Sequence, residues 1–124
     1  MRRILIIDDE DDIREVAALS LESVAGWKVT TASSGAEGIK LATAQSPDAI
    51  LMDVMMPAMD GPTTFKEMQK DPALARIPVI LLTAKVQGVD QRRFAGLGVK
   101  AVLFKPFDPL TLAQQISDAL GWKD

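Results

Sequence analysis

The stretch AILMDVMMP, residues 49–57, places a single carboxylate within an apolar run. Four apolar residues lead into Asp53, and the residues after it stay apolar up to Pro57. A strand buried on both faces of a parallel sheet has this continuous apolar character. Because burying a carboxylate is costly unless its charge is compensated, we expect Asp53 to have partners elsewhere in the chain.

Similar apolar runs recur on both sides of this stretch and alternate with amphipathic segments of helix length. Strands are predicted at residues 4–7, 27–32, 48–53, 77–84 and 100–105. The second strand is half-polar, which suits the edge of a sheet. Helices are predicted at residues 12–24, 35–45, 63–70 and 89–95, with a last one from residue 109. Five β-α units predict an α/β fold, with a doubly wound parallel sheet covered by helices on both faces.

Capping residues predict where several of these helices begin. Asp11 is the expected N-cap of the first helix. Ser34 and Glu37 form a capping box at the second helix. Asp108, followed by Pro109, is the expected N-cap of the last helix. Helical spacing predicts that the first helix packs on the sheet through Ile13, Val16, Ala17, Ser20 and Val24.

The composition narrows the range of functions. With 124 residues we expect one domain over residues 1–124. The net charge of −3 gives no electrostatic reason to expect nucleic-acid binding. The sequence has no cysteine and no histidine, which excludes disulfides, thiolate metal sites and imidazole chemistry on this chain. No run approaches about 20 apolar residues, so we expect no membrane span and a cytoplasmic location.

Charged and polar residues stand at the ends of four predicted strands: Asp8 and Asp9, then Asp53, Thr83 and Lys105. In an open parallel sheet, ligands bind outside the carboxyl ends of the strands. Three carboxylates close together need a cation. Because an all-oxygen site suits a hard ion, we expect Mg²⁺, with Mn²⁺ as the alternative.

These residue types together predict a phosphoryl site. A lysine and a metal ion neutralise phosphoryl charge, a threonine hydroxyl donates to a phosphoryl oxygen, and one carboxylate can act as the nucleophile. We predict that Asp53 is the nucleophile because it stands alone in the central strand, whereas Asp8 and Asp9 come as a pair.

Four segments resemble the receiver domain of bacterial two-component response regulators, and the similarity covers essentially the whole chain. They are ILIIDDE, AILMDVMMPAMDG, VILLTA and LFKPFD. The resemblance, which is to single-domain regulators of the chemotaxis type, implies a flavodoxin-like three-layer sandwich with strand order 2-1-3-4-5. It implies a sensor histidine kinase or histidine phosphotransfer protein as the phosphoryl donor. It also implies a downstream protein partner that binds through residues 88–120, without direct DNA binding.

The resemblance implies roles around the metal. Asp53 is then the phosphoacceptor, Asp9 is a direct Mg²⁺ ligand, and Asp8 acts mainly through metal-bound water. The third protein ligand of the family is a backbone carbonyl, which corresponds to Met55 in this sequence. Met55 and Lys85 border the approach to the phosphoryl group and are expected to tune its lifetime.

The resemblance also implies a switch at the fourth and fifth strands. Thr83 supplies the switch hydroxyl. Lys105 contacts the phosphoryl group, and a cis peptide bond between Lys105 and Pro106 directs its side chain inward. Many receivers have an aromatic residue three positions before this lysine, but here that position is Val102. This chain therefore departs from the usual pairing of the threonine with an aromatic ring. Phe104 lies on the opposite face of its strand and is expected in the core.

Neighbouring residues have simpler interpretations. Glu10 is expected in a solvated loop, whereas Asp11 and Asp12 are expected to stabilise the start of the first helix. Met52 is expected in the core. A soft binding surface is predicted for the loop methionines, namely Met55, Met56 and Met59.

Two other classes of protein remain open at this point. An aspartate-nucleophile, Mg²⁺-dependent phosphatase has a D-x-D-x-[TV] motif, but here Asp9 and Asp11 are followed by Asp12 and Ile13. A flavodoxin-like cofactor binder needs a phosphate loop after the first strand, where this chain has acidic residues. We therefore expect a signalling phosphoacceptor rather than an enzyme. Because residues 121–124 do not resemble a linker, we also expect a stand-alone receiver.

Overall fold

Five parallel strands form the centre of the protein in a computed structural model that describes residues 1–84, 94 and 96–123. The strands are β1 (Arg3–Ile7), β2 (Lys28–Ala32), β3 (Ala49–Asp53), β4 (Val79–Thr83) and β5 (Ala101–Phe104). Their order is β2-β1-β3-β4-β5, which confirms the predicted order and the edge position of the half-polar second strand. Lys85 and the helix predicted at residues 89–95 lie outside the described residues, apart from Phe94.

Helices connect the strands on both faces of the sheet. The described residues contain α1 (Asp11–Ala25), α2 (Gly35–Gln45), α3 (Gly61–Gln69), α4 (Pro72–Ala75) and α5 (Leu112–Leu120). The four-residue helix α4 was not predicted, and Asp71 caps it by accepting a hydrogen bond from the N–H of Ala73. Among the described residues, no helix is both long and apolar enough to cross a bilayer.

The core consists of two apolar clusters, one on each face of the sheet. Alternate residues of each central strand point to opposite faces. On one face the strand residues pack against α2 and α3, through Ala42, Phe65 and Met68. On the other face they pack against α1 and α5, through Ala17, Leu21, Leu112 and Ile116. All five residues of β3 are buried, which explains the apolar run that leads into Asp53.

Helix α1 differs from its prediction at its start and along its buried face. Glu10, not Asp11, precedes the helix, and its side chain makes no capping bond. Asp11 is the first helical residue, where its negative charge still interacts favourably with the helix dipole. Val16 and Val24 were expected to pack on the sheet, but they are 44% and 50% exposed. The buried stripe is narrower than predicted and consists of Ala17, Ser20 and Leu21.

The second and third helices begin at side-chain caps. The Ser34 hydroxyl accepts from the N–H of Glu37 at 3.1 Å, as the capping box predicts. The Glu37 carboxylate, however, accepts from the N–H of Ser33 rather than Ser34. Helix α3 begins two residues earlier than predicted, because Asp60 caps it by accepting from the N–H of Thr63 at 2.8 Å.

The predicted start of the last helix was wrong by three residues. The Asp108 carboxylate does accept a local bond, from the N–H of Leu110 at 2.9 Å. This bond closes a turn over residues 109–111, and α5 begins only at Leu112. The residue before the helix, Thr111, makes no side-chain capping bond.

Two apolar residues near the strand ends also differ from their predictions. Phe104 was expected in the core but is 42% exposed, because β5 is an edge strand and its last residue lies at the rim of the sheet. Met56 was expected on a binding surface, but the loop after β3 turns its side chain into the core. Met55 is exposed and Met52 is buried, as predicted.

Candidate functional site

The ends of four strands bring the predicted site residues to one edge of the sheet. Asp8 follows β1, Asp53 ends β3, Thr83 ends β4, and Lys105 follows β5. The N–H of Lys105 donates to the carbonyl of Thr83 at 2.7 Å, which ties the lysine backbone to β4. The parallel register therefore brings together four polar residues separated by up to about a hundred positions in the sequence.

Lys105 is the central cation of this site. Its Nζ lies 3.0 Å from Asp8 Oδ2, 3.3 Å from Asp53 Oδ1 and 3.4 Å from Glu10 Oε1. The side chains of Asp8 and Asp53 are almost fully buried, whereas that of Glu10 is exposed. One ammonium group thus compensates two buried carboxylates, which leaves the site with excess negative charge. The bond between Lys105 and Pro106 is cis.

The charges around the site shift the pKa values of Asp53 and Lys105. Burial, followed by the charge of Asp8, raises the pKa of Asp53 from 3.8 to about 6, although Lys105 acts in the opposite direction. Burial alone would lower the pKa of Lys105. Its hydrogen bond to Asp8 and the negative charges of Asp8 and Asp53 outweigh that effect and raise its pKa above 10.5. Lys105 therefore does not fully compensate the negative charge around Asp53, and a further cation could do so.

The acidic residues fit a hard divalent cation. Carboxylate oxygens of Asp8, Asp9, Glu10 and Asp53 all lie within 4.8 Å of one another. Asp8 Oδ2 is buried, and among the described residues its close polar contact is the Lys105 ammonium group, at 3.0 Å. An all-oxygen set with unused acceptor capacity matches the ligands that Mg²⁺ and Mn²⁺ prefer. Asp9 is exposed, so the cluster is open to solvent on one side.

The other predicted residues lie around this cluster. Thr83 is buried and lies next to Leu82, the register partner of Asp53. Met55 lies in the loop directly after β3 with its side chain 75% exposed. Val102 is half-buried and packs against the core on the α3 face.

Sequence reasoning underestimated Glu10 and missed two further residues near the site. Glu10 is exposed, as predicted, yet it belongs to the acidic cluster and contacts Lys105. Arg14 donates to the carbonyl of Asp8, a contact with no sequence signature. Gly61 lies against the end of β3, where an added Cβ would lie 2.4 Å from the carbonyl oxygen of Asp53. The glycine in MDGP was the only available signal for this close approach.

The fold and the site agree with the family to which the sequence belongs. Residues 4–117 match the response regulator receiver domain, and the chain is a member of that family. Among its relatives, PilH of Pseudomonas aeruginosa is 36% identical over 121 residues, which are 98% of this chain and 99% of PilH. The chain covers only 44% to 45% of the length of several other relatives, which are transcriptional regulators.

Solved structures show the same architecture. The chemotaxis protein CheY4 of Vibrio cholerae superimposes with a TM-score of 0.89 at 29% identity, over 96% of this chain and 98% of that one. The receiver domain of the sensor histidine kinase PA1611 from Pseudomonas aeruginosa superimposes with a TM-score of 0.85 at 30% identity. This comparison covers 97% of this chain and 98% of that one, whose structure has a magnesium ion coordinated in the active site cleft.

Proposed function

We propose that this receiver domain is a phosphoacceptor that takes a phosphoryl group on Asp53 in a Mg²⁺-dependent reaction. The observation that carries the proposal is the position of Lys105, whose Nζ lies within 3.3 Å of both Asp8 and Asp53. A cation held against a buried carboxylate at a strand end suits a nucleophile that must accept a dianionic group.

The Asp53 carboxylate is the nucleophile in this proposal. One of its oxygens attacks the phosphorus of a phosphohistidine on a sensor histidine kinase or a histidine phosphotransfer protein. The P–N bond breaks, and the nitrogen keeps the bonding electron pair. Because the pKa of Asp53 is about 6, the side chain is mainly ionised at pH 7 even before a metal binds.

The metal ligands in this proposal are Asp9 and Asp53, with the backbone carbonyl of Met55, while Asp8 acts through metal-bound water. The chemistry that a bound Mg²⁺ supplies is neutralisation of the charge on the phosphoryl oxygens during transfer. The proximity of the carboxylate oxygens supports this ligand set. The magnesium ion in the related PA1611 receiver supports it too.

The signal arises in this proposal when Lys105 and Thr83 turn toward the new phosphoryl group. Lys105 then exchanges its contacts with Asp8 and Glu10 for a contact with a phosphoryl oxygen. The resulting shift between two conformations changes the protein contacts of residues 88–120, part of which lies outside the described residues. We place this activity in the cytoplasm, where the kinase domains that donate phosphate act, and we infer a signalling role rather than catalytic turnover.

Phosphorylation by a small donor tests the assignment directly. The protein is incubated with acetyl phosphate and Mg²⁺, and the modified residue is located by mass spectrometry. We expect a single phosphoryl group on Asp53 and no modification in the Asp53→Asn variant or in excess chelator. Asp48→Asn, which neutralises an exposed carboxylate near the start of β3, is the matched control and should be modified like the wild type.

Modification that persists in Asp53→Asn would contradict the assignment of the nucleophile. Repeated turnover of an aryl phosphate, with many equivalents of phosphate released for each protein molecule, would favour the phosphatase alternative instead.

A further inference from the structure

Arg14 connects the first helix to the end of the first strand. Its Nη1 donates to the carbonyl oxygen of Asp8 at 2.6 Å. Its Nη2 forms an ion pair with the carboxylate of Asp11, one turn earlier in α1. The Arg14 side chain is only 18% exposed, so the guanidinium group lies against the protein between these two partners.

The carbonyl that Arg14 binds belongs to the peptide that joins Asp8 to Asp9. Because a peptide group is planar, holding its oxygen also sets the direction in which the chain continues through Asp9. Two further hydrogen bonds hold Asp8 in place. Its N–H donates to the carbonyl of Ala32, and its Oδ1 accepts from the N–H of Glu10 at 2.9 Å. Asp9 is exposed, so its position depends largely on this backbone.

We propose that Arg14 is a positioning residue, which holds the Asp8–Asp9 peptide so that both carboxylates face the metal position. This inference rests on the proposed function, because it concerns the same Mg²⁺ site. The planar guanidinium binds two partners at once, and a lysine ammonium on a flexible stem does not reproduce that geometry. Residues that orient metal ligands in this way typically change metal affinity by about 10- to 100-fold when they are replaced.

A purely electrostatic role for Arg14 predicts the opposite result. A positive charge near the acidic cluster repels a cation, so its removal would strengthen Mg²⁺ binding. Arg14→Lys keeps the charge but loses the paired geometry, whereas Arg14→Gln loses both. The two variants therefore separate the geometry of the side chain from its charge.

The test is a calorimetric titration of the metal-free protein with MgCl₂, together with urea unfolding in chelator. We expect both Arg14→Lys and Arg14→Gln to raise the Mg²⁺ dissociation constant by about 10-fold. Asp11→Asn leaves the carbonyl bond in place and should change it by less than about threefold. Arg76→Gln, which removes an exposed arginine just before β4, is the matched charge control and should bind like the wild type.

Unchanged or tighter Mg²⁺ binding in Arg14→Lys would overturn the inference, even if the variant were less stable in urea. If Arg14→Gln does not fold, Arg14→Lys alone decides the question. Suppose that the wild type binds Mg²⁺ and is phosphorylated on Asp53, and that the Arg14 variants have the same Mg²⁺ dissociation constant. That result would overturn this inference but leave the proposed function intact. Wild-type protein that binds no Mg²⁺ would overturn both.

Discussion

The two ends of the sheet are built in opposite ways. At the carboxyl end, Asp8 and Asp53 are buried beside Lys105, with more negative than positive charge. At the amino end, Trp27 and Trp122 pack edge to face with ring centroids 5.4 Å apart, and the Arg2 guanidinium lies 4.1 Å from the centre of the Trp122 ring. Aromatic and cation–π contacts of this kind stabilise a fold.

This difference separates stability from function within one small domain. The aromatic cluster of Arg2, Trp27 and Trp122 brings together residues before β1, before β2 and after α5. It therefore stabilises the end of the sheet where the strands begin. The acidic cluster keeps like charges close together where the strands end, which costs stability and leaves a site that can accept a cation. Four predictions test whether the two ends are as independent as this comparison implies.

The largest expected effect is the loss of the buried cation. Lys105→Met leaves Asp8 and Asp53 without their positive partner, so the free energy of unfolding without metal should fall by about 3 kcal/mol at pH 7. Urea unfolding measures this loss, and saturating Mg²⁺ should restore part of it. Lys100→Met removes an exposed lysine at the amino end of β5 and should cost less than about 0.5 kcal/mol. Equal losses in the two variants would contradict the comparison.

The aromatic cluster should contribute stability without affecting the site. Trp122→Ala removes the ring that contacts Trp27 and Arg2, and the free energy of unfolding should fall by about 2 kcal/mol. The Mg²⁺ dissociation constant should stay within about twofold of the wild-type value. A larger change in Mg²⁺ affinity would show that the two ends are energetically coupled.

The charge cost at the carboxyl end should appear as an unusual pH dependence. The pKa of Asp53 is about 6 in the folded protein, above its value of about 3.9 in an unfolded chain. The folded state therefore binds the proton more tightly, and metal-free stability should rise as the pH falls from 7 toward 5. Because solvent reaches the cluster past Asp9 and Glu10, we expect a gain of roughly 1–2 kcal/mol.

Asp53→Asn isolates this contribution from that of other carboxylates. The variant should be more stable than the wild type at pH 7 in chelator, and the difference between them should shrink toward pH 5. Trp122→Ala should keep the wild-type pH dependence, since it does not touch the site. A constant difference between wild type and Asp53→Asn over this pH range would contradict the raised pKa.

The smallest expected effects compare two helix caps. Asp60 caps α3 at the end of the loop that follows β3, and Asp71 caps α4 in the segment that leads to the start of β4. Replacing either residue with alanine should cost about 1 kcal/mol of unfolding free energy. Only Asp60→Ala should slow phosphorylation by acetyl phosphate, because Gly61 packs against the carbonyl of Asp53. Equal rates in the two variants would contradict a positioning effect of the α3 cap.

Much of the fold and the site could be predicted because it follows from local pattern. Continuous apolar runs predicted four of the strands, and a half-polar run predicted the second. The rule that ligands bind at the carboxyl ends of parallel strands placed Asp8, Asp53 and Lys105 at one edge of the sheet. Predictions failed where an outcome depends on neighbours that are distant in sequence. Val16 has helical spacing suited to the core, yet α1 lies on the sheet so that Ala17 and Leu21 face inward.

The amino-acid sequence by itself determined the class of fold and the chemistry available to the site, because strand periodicity and the position of polar residues at strand ends are local properties. Only the tertiary structure decided which groups interact with the charge of Asp53 and by how much the pKa of Asp53 rises. It also brought Arg14 to the carbonyl of Asp8 and Gly61 to that of Asp53. Distances of a few ångströms between separate segments control these effects, since electrostatic and hydrogen-bond energies depend steeply on separation and burial.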